Sequence, residues 1–548
     1  MELAEIRDLD GPNLFMPRPA IKLEIEHSAE TPDITERLAT IFATERRVDP
    51  QLASERTVVS IERLGTLLTE CVNVLHDVAG VSRPDIRTRK METPGHLVVA
   101  FSWDRRDFGK VAARTAFALV SGDVAGVDGK LDRLRELAGS NASVDQRPEM
   151  LDDERRHLPI IAVTGTNGKT TTTRLIASIL MGAGKRVGWT SSAGVLIQGQ
   201  MVLEGDYTGP AGAARVYEEP DLDIAVLETA RGGILLRGLG YESNDVSVVT
   251  NVSADHLGLH GVYSVEELAR VKAVVPAVTK ESGFAVLNAG DELVLGMRTV
   301  IRARPVLISR VASNTAVDAH RANGGWALWV DGGLVNFSHD GVENVLTDLN
   351  DIPITIGGRA THMLENALCA AAACLAIGLD ADQVRSGLAN FRNLADQNRG
   401  RLNIYDVEGA RIVVDFAHNV AGLTHLLALG RSFAGENNRV IAVIGTAGDR
   451  PDDAFREMGR LAGTQADVVI AKDTIKYLRG RQPGETLELL TAGLSEAGCA
   501  EVETAPGEYA GFELALSHAT PGDTVVIMCV EDVDKVLNHL DRIGTRVS

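Results

Sequence analysis

The sequence has little of several features that mark specialised classes of protein. Only five cysteines occur in 548 residues, with no Cys-x-x-Cys pair, which argues against a disulfide framework and a structural zinc site. Aromatic residues make up 4% of the chain, too few to predict stacking platforms for single-stranded nucleic acids. No apolar run reaches the roughly 18 residues that span a bilayer, and the N-terminus lacks a signal-peptide profile. We therefore expect a cytoplasmic protein without a membrane segment.

Positive charge is also scarce. The chain has 55 Lys and Arg against 75 Asp and Glu, a formal net charge of −20. Nucleic-acid binding requires a basic face, so we predict no nucleic-acid partner. The 45% hydrophobic and 24% charged residues are typical of a soluble globular protein, and the length requires more than one hydrophobic core.

The pattern along the chain predicts three domains. Strands at Ile21–Ile25 and Leu97–Phe101 and helices at Ile61–Val78 and Lys110–Val120 indicate a small α+β N-terminal domain. A polar linker at 139–157 follows, and from Leu158 short β-branched runs alternate with helices, as in parallel α/β sheets. We place the domains at 1–150, 158–399 and 400–548, the last two being α/β domains with a parallel sheet.

Three predicted strands of the central domain end in polar or glycine-rich segments. These segments are Thr164–Thr170 after Ile160–Val163, Glu228–Gly233 after Ile224–Leu227, and Thr250–His256 after Val246–Val249. Ligands of parallel sheets bind beyond the carboxyl ends of the strands. The sequence therefore predicts one active site built from all three segments.

The first segment, Gly165-Thr166-Asn167-Gly168-Lys169-Thr170-Thr171, predicts a phosphate-binding loop. Its glycines let backbone N–H groups approach phosphate oxygens. Lys169 would contact the phosphates and the Thr170 hydroxyl would bind Mg²⁺. The spacing differs from the usual G-x-x-x-x-G-K-[ST], since Val163 stands where the first glycine is expected, and no Asn-Lys-x-Asp signature occurs. A GTPase is therefore disfavoured.

Three further residues are candidates for chemistry. Glu228, at a strand end, has the hard oxygen ligand that Mg²⁺ prefers. His256 fits a metal ligand, a catalytic base or an ordinary turn histidine, and the pattern alone leaves these open. Lys272 lies on a predicted helix, where an exposed lysine is the usual case.

Together these segments resemble the central domain of the Mur ligases. The segments that match this domain are Thr164–Thr172, Leu227–Gly233, Asn251–Leu257 and Ala269–Lys272, and the resemblance continues through Gly357–Asn366, Gly400–Asn403 and Val414–Asn419. Gly205–Pro210 and the Glu-Thr-Ala-Arg-Gly-Gly run are most similar to the Mur-like module of the cyanophycin synthetase branch. The resemblance runs from about residue 158 to the C-terminus, and Leu97–Trp103 is similar to the N-terminal domain of that branch.

The resemblance implies a role for each matching residue. It implies catalysis by Lys169, Glu228, His256 and Lys272, the last at a position that Mur ligases often carbamylate. ATP contacts are implied for Gly165–Thr171, for Asn366 at the adenine, and for Arg401 and Asp415 after domain closure. Mg²⁺ would be held by Thr170, Glu228 and His256, and substrate by Thr208, Arg231, His418 and Asn419.

The implied activity is that of an ATP-dependent ligase that forms a carbon–nitrogen bond. A carboxylate of a peptide or small molecule would be activated as an acyl phosphate and coupled to an amino acid amine, with ATP and Mg²⁺ as cofactors. The cyanophycin synthetase branch carries an ATP-grasp module where this chain has only the linker at 139–157, so one ligation is expected. The alternatives are a folylpolyglutamate-synthase-like or peptidoglycan-type ligase, or a catalytically silent nucleotide-binding subunit. A second copy of the chain and a separate ATP-grasp ligase stay open as partners.

Overall fold

The computed structural model describes residues 1–27, 60–123, 125–140, 146–393, 398–499 and 502–547. Its strands form three sheets, one in each region that the sequence pattern separates. The N-terminal elements are β1 (Glu2–Leu9), β2 (Ala20–Glu26), α1 (Ile61–Val78), β3 (Ile86–Lys90), β4 (His96–Ser102), α2 (Arg106–Val120) and α3 (Val127–Gly139).

The N-terminal sheet is antiparallel, with the order β1-β2-β4-β3. Ile21, Leu23 and Ile25 alternate along β2 and pack with α1 and α2 in one hydrophobic core, as their period of two predicts. The predicted strands and helices of this region are confirmed, and α1 has the predicted bounds. β1 was not predicted, because its charged residues show no clear alternation.

The central region contains an 11-stranded sheet. Its elements are β5 (Ile160–Thr164), α4 (Lys169–Gly182), β6 (Val187–Ser191), β7 (Gly194–Ile197), β8 (Gln200–Glu204), α5 (Pro210–Tyr217), β9 (Ile224–Glu228), α6 (Arg231–Leu236), β10 (Asn244–Val249), α7 (Val265–Ala277), β11 (Thr279–Asn288), α8 (Glu292–Gly296), β12 (Arg304–Ser309), α9 (Thr315–Ala322), β13 (Trp326–Asp331), β14 (Leu334–His339), β15 (Val342–Asp348), α10 (Thr361–Ala376) and α11 (Ala381–Asn390). Strands β13-β12-β11-β10-β5-β9-β6 are parallel, and an antiparallel hairpin extends each edge.

This strand order positions the site. β5 lies between β10 and β9, and all three run parallel. The three polar segments therefore leave the same edge of the sheet, as predicted. β5 and β9 are fully buried, and β10 is buried except at Asp245, which explains their apolar runs.

The C-terminal region contains a seven-stranded sheet with the order β20-β19-β18-β21-β17-β16-β22. Its elements are β16 (Asn403–Val407), β17 (Ala410–Asp415), α12 (Val420–Ala434), β18 (Val440–Ile444), α13 (Asp452–Gln465), β19 (Val468–Lys472), α14 (Glu485–Glu496), β20 (Val502–Ala505), α15 (Glu508–His518), β21 (Thr524–Met528), α16 (Val533–Ile543) and β22 (Thr545–Val547). The first five strands of that order are parallel. The predicted α/β class is confirmed in both large regions.

The stretch predicted as a linker packs against the central region where it is described. Leu151 forms a β-bridge with Tyr241, and the buried guanidinium of Arg156 lies 2.7 Å from the Asp245 carboxylate. Residues 141–145 lie outside the described residues. In the parts of the chain that are described, no helix is long and apolar enough to cross a membrane.

Candidate active site

The loop between β5 and α4 requires glycine at two positions. Gly165 and Gly168 have φ of 150° and 85°, where residues with a Cβ are strained. A Cβ on Gly165 would lie 1.9 Å from Thr250 Oγ1, and one on Gly168 would lie 2.1 Å from Asn366 Oδ1. The two glycines thus let the loop sit directly against its neighbours.

The end of β10 and helix α7 hold this loop in place. The Thr166 N–H donates to the Asn251 carbonyl at 2.8 Å, and the Asn167 N–H donates to Asn251 Oδ1 at 2.9 Å. Lys272 Nζ donates to the Gly165 carbonyl at 2.6 Å. Lys272 is 3% exposed, contrary to the exposed helix lysine that the pattern alone favours. Burial, together with the positive charge of Lys169, holds the pKa of Lys272 well below its usual value.

Glu228 and Thr170 form a buried oxygen pair beside the loop. The Thr170 hydroxyl donates to Glu228 Oε1 at 3.1 Å. Glu228 is 3% exposed, and its Oε2 has no hydrogen-bond partner among the described residues. Burial raises the pKa of Glu228, although Lys169 opposes that shift. An unpaired buried carboxylate oxygen next to a hydroxyl suits a hard divalent cation, so the residues present fit Mg²⁺.

His256 contacts the C-terminal region. Its Nδ1 lies 3.0 Å from Asp449 Oδ2, and that hydrogen bond lowers the pKa of Asp449 to about 2. The preceding residue, Asp255, lies 3.3 Å from Arg450 Nη2 and 3.6 Å from His418 Nε2. Within the described ranges no group of three His, Cys, Asp or Glu is placed to hold a metal. His256 thus pairs with a carboxylate of the C-terminal region, and it lines the same cavity as Thr170 and Glu228.

The residues expected at the nucleotide line two adjoining cavities that share Gly168 and Arg401. The larger, of about 730 Å³, is lined by Thr166–Thr171, Glu228, His256 and Lys272. The smaller, of about 190 Å³, is lined by Asn366 and Asp415. The Arg401 guanidinium lies 4.3 Å from the centre of the Phe416 ring, and Asp415 Oδ2 accepts a hydrogen bond from the Leu402 N–H at 2.9 Å.

The predicted substrate contacts lie around the larger cavity. Thr208, Arg231 and His418 line it. The Thr208 hydroxyl donates to Asp206 at 2.7 Å, while Arg231 Nη1 is buried and has no partner among the described residues. Asn419 lines neither cavity, but its side chain bonds to Asn167.

Several residues of this site were not predicted. Asp449 and Arg450 follow Gly445-Thr-Ala-Gly448 at the end of β18, so the rule about strand ends could have found them. Arg174 lies one turn after Thr170 on α4, where position alone marks it. His362 and His425 line the smaller cavity with ring centres 5.1 Å apart. His362 lies within the matching segment Gly357–Asn366, whereas no local signal in the sequence identifies His425.

Comparison with known proteins agrees with this fold and loop. The Mur ligase middle domain matches residues 163–374, and the Mur ligase glutamate ligase domain matches residues 400–529. The chain belongs to the Mur ligase family. It is 37% identical to a cyanophycin synthetase of Crocosphaera subtropica over 386 residues, which are 70% of this chain and 44% of that relative. The chain thus spans less than half the length of the cyanophycin synthetases that it matches.

Two further proteins match more of their own length. A UDP-N-acetylmuramoyl-L-alanyl-D-glutamate--2,6-diaminopimelate ligase of Geobacillus thermodenitrificans is 29% identical over 81% of this chain and 89% of its own. A solved folylpolyglutamate synthase/dihydrofolate synthase with Mn, AMPPNP and L-glutamate bound has a TM-score of 0.51 at 21% identity. The match covers 70% of this chain and 89% of that chain, and it supports the predicted fold.

Proposed function

We propose that this chain is an ATP-dependent ligase that joins a carboxylate to an amino acid amine through an acyl phosphate. The observation that carries the proposal is the buried pair of Thr170 and Glu228, with an unpaired Glu228 Oε2, beside the glycine loop. The solved folylpolyglutamate synthase of similar fold has Mn and AMPPNP bound, which supports a metal and a nucleotide as ligands of this chain. Asn366, Arg401 and Asp415 would complete the nucleotide site from the second cavity.

The proposed reaction has two steps. A carboxylate oxygen of the acceptor attacks the γ-phosphorus of ATP, the bond to the bridging oxygen breaks, and ADP leaves. The amine nitrogen then attacks the acyl carbon, the bond from carbon to the phosphate oxygen breaks, and phosphate leaves as the amine loses a proton. Lys169 would neutralise charge on the transferring group, while Mg²⁺ held by Thr170 and Glu228 would supply further positive charge.

The substrate would lie where the central and C-terminal regions face each other. Arg231, with a buried and unpartnered Nη1, would bind a carboxylate, and Thr208 and His418 line the same cavity. The contacts of Asp255 and His256 with Arg450 and Asp449 join the two regions beside this cavity. Exclusion of water protects an acyl phosphate from hydrolysis.

We also propose that the chain has three domains, at 1–150, 158–399 and 400–548.

The proposal is tested by ADP release from the full chain with ATP and Mg²⁺, with amino acids screened against aspartate-rich peptides and products identified by mass spectrometry. We expect ADP release that needs both an amino acid and a carboxylate, and a new amide in the product. Lys169→Ala should abolish turnover, whereas Arg215→Ala, which removes a surface pair with Glu219, should not. Unchanged turnover in Lys169→Ala would refute the site.

The same assay separates the alternatives. Release that depends on glutamyl folates or UDP-muramyl peptides would assign the chain to one of those ligase types. Nucleotide binding without ADP release for every pair tried would instead support a catalytically silent subunit.

A further inference from the structure

The cleft is basic although the chain is acidic. Eight Lys and Arg side chains line the larger cavity against four Asp and Glu, whereas acids outnumber bases by 75 to 55 in the whole chain. Most of these cations have assigned contacts, such as Arg450 with Asp255 and Arg399 with Asp534. Arg174 forms no salt bridge among the described residues, although the charge of Glu228 attracts it, and it lines the cavity. An unpaired guanidinium in a basic cleft indicates a place for an anion.

The geometry of helix α4 indicates which part of the cleft the Arg174 side chain lies in. Arg174 lies four residues after Thr170 on α4, so the two side chains share one helix face. Long helical side chains point back towards the N-terminus, which brings the guanidinium over the turn that carries Thr170. Thr170 and Glu228 are the proposed Mg²⁺ ligands, so Arg174 lies beside the residues that would hold the metal, which would supply positive charge to the phosphates of a bound nucleotide.

A second cation approaches from the C-terminal region. Arg401 lines the same cavity from the segment just before β16. Burial, reinforced by the positive charge of Arg401, lowers the pKa of Arg174 to about 10. Both guanidinium groups line the same cavity, so an anion bound between them would be attracted by both.

We propose that Arg174 and Arg401 clamp the γ-phosphate of ATP from opposite sides of the cleft. This inference rests on the proposed function, since it takes ATP as the nucleotide. The loop amides hold the inner phosphates, and the clamp acts together with Lys169 on the group that is transferred. Arg174 is then a positioning and charge-stabilising residue supplied by the phosphate-loop helix itself.

The test compares two nucleotides on the full chain with Mg²⁺, by titration calorimetry. Arg174→Ala should weaken AMPPNP binding about tenfold or more, the worth of one charge-assisted contact, and change ADP binding by less than about twofold. Arg174→Lys should give an intermediate loss for AMPPNP, because it keeps the charge without the planar fork. Arg215→Ala should change neither affinity, and the melting temperature of each variant checks that the chain is folded.

The outcomes are distinguishable from failure of the proposed function. If the wild-type chain does not bind AMPPNP, both proposals fall. If the wild type binds AMPPNP and releases ADP, but Arg174→Ala weakens ADP and AMPPNP equally or neither, only the clamp is overturned. If Arg174→Ala leaves the ratio of the AMPPNP and ADP affinities unchanged and raises the KM for the acceptor, Arg174 binds the acceptor instead. This result would also overturn the clamp.

Discussion

Asn167 and Asn419 exchange two side-chain hydrogen bonds although 252 residues separate them. Asn167 Nδ2 donates to Asn419 Oδ1 at 3.2 Å, and Asn419 Nδ2 donates to Asn167 Oδ1 at 3.1 Å. Asn167 belongs to the phosphate loop, and Asn419 caps the first helix of the C-terminal region by accepting from the Gly422 N–H. The pair therefore ties the position of the C-terminal region to the loop.

Substitution of Asn419 can separate the two roles of this residue. A serine hydroxyl caps a helix as well as an asparagine does, so Asn419→Ser should keep the stability and lose the pair. Asn419→Ala should lose the pair and about 1 kcal/mol of cap energy. Both variants should raise the KM for the amine, which needs the closed cleft, and only Asn419→Ala should lower the melting temperature. An unchanged KM in both would show that the pair does not govern closure.

Gly168 should tolerate no side chain. Gly168→Ala places a Cβ 2.1 Å from Asn366 Oδ1 at a φ of 85°, so the loop must distort, and nucleotide affinity should fall by about a hundredfold or more. Gly182, near the end of the same helix, has open space around its Cβ position. Gly182→Ala should bind AMPPNP normally and gain about 0.5–1 kcal/mol of stability. Calorimetry and thermal melts measure both effects, and normal binding by Gly168→Ala would contradict the described loop.

Glu228→Gln should raise the Mg²⁺ concentration that turnover requires, and it should stabilise the metal-free chain. The amide still accepts from Thr170 but no longer supplies a negative charge, so the Mg²⁺ requirement of turnover should rise by about tenfold or more. Burial raises the pKa of Glu228, so the ionised carboxylate destabilises the metal-free chain above that pKa. The melting temperature of the variant should exceed that of the wild type at neutral pH.

The pH dependence of this difference in melting temperature tests whether the charge of Glu228 causes it. As the pH falls through the raised pKa, the wild-type carboxyl becomes neutral like the amide, and the gap in melting temperature should close. A gap that is constant with pH, measured in EDTA, would show that the charge of Glu228 is not its source.

The C-terminal core contains a fully buried ion pair, and removal of one partner should destabilise the chain. Lys472 Nζ lies 2.8 Å from Glu508 Oε2, and neither side chain is exposed. Glu508 also accepts the N–H groups of Val530, Glu531 and Asp532. Glu508→Gln should cost about 3–5 kcal/mol in urea unfolding, since it strands the lysine charge. Lys472→Met in the Glu508→Gln background should recover part of that loss, and additive losses would contradict the pairing.

The local sequence pattern was sufficient to predict the parts of the site that follow adjacent strands. The phosphate loop, Glu228 and the segment before His256 each follow a buried strand, and neighbouring parallel strands bring them together without further information. The contacts of His256 with Asp449 and of Asn167 with Asn419 join separate regions. They depend on how two sheets are oriented, which no local spacing encodes. β1 could not be predicted because its register comes from pairing with β2 and not from its own alternation.

The phosphate loop is shaped by Thr250 and Asn251, which lie more than eighty residues further along the chain. The loop amides of Thr166 and Asn167 bond to Asn251, and the Thr250 hydroxyl bonds to the Asn167 carbonyl. During synthesis the glycine motif would leave the ribosome long before the strand that gives it its shape. A nascent chain that ends before residue 250 contains the whole motif and still lacks the nucleotide cradle. The phosphate-binding shape of the loop should therefore form only after β10 has been synthesised and has paired with β5.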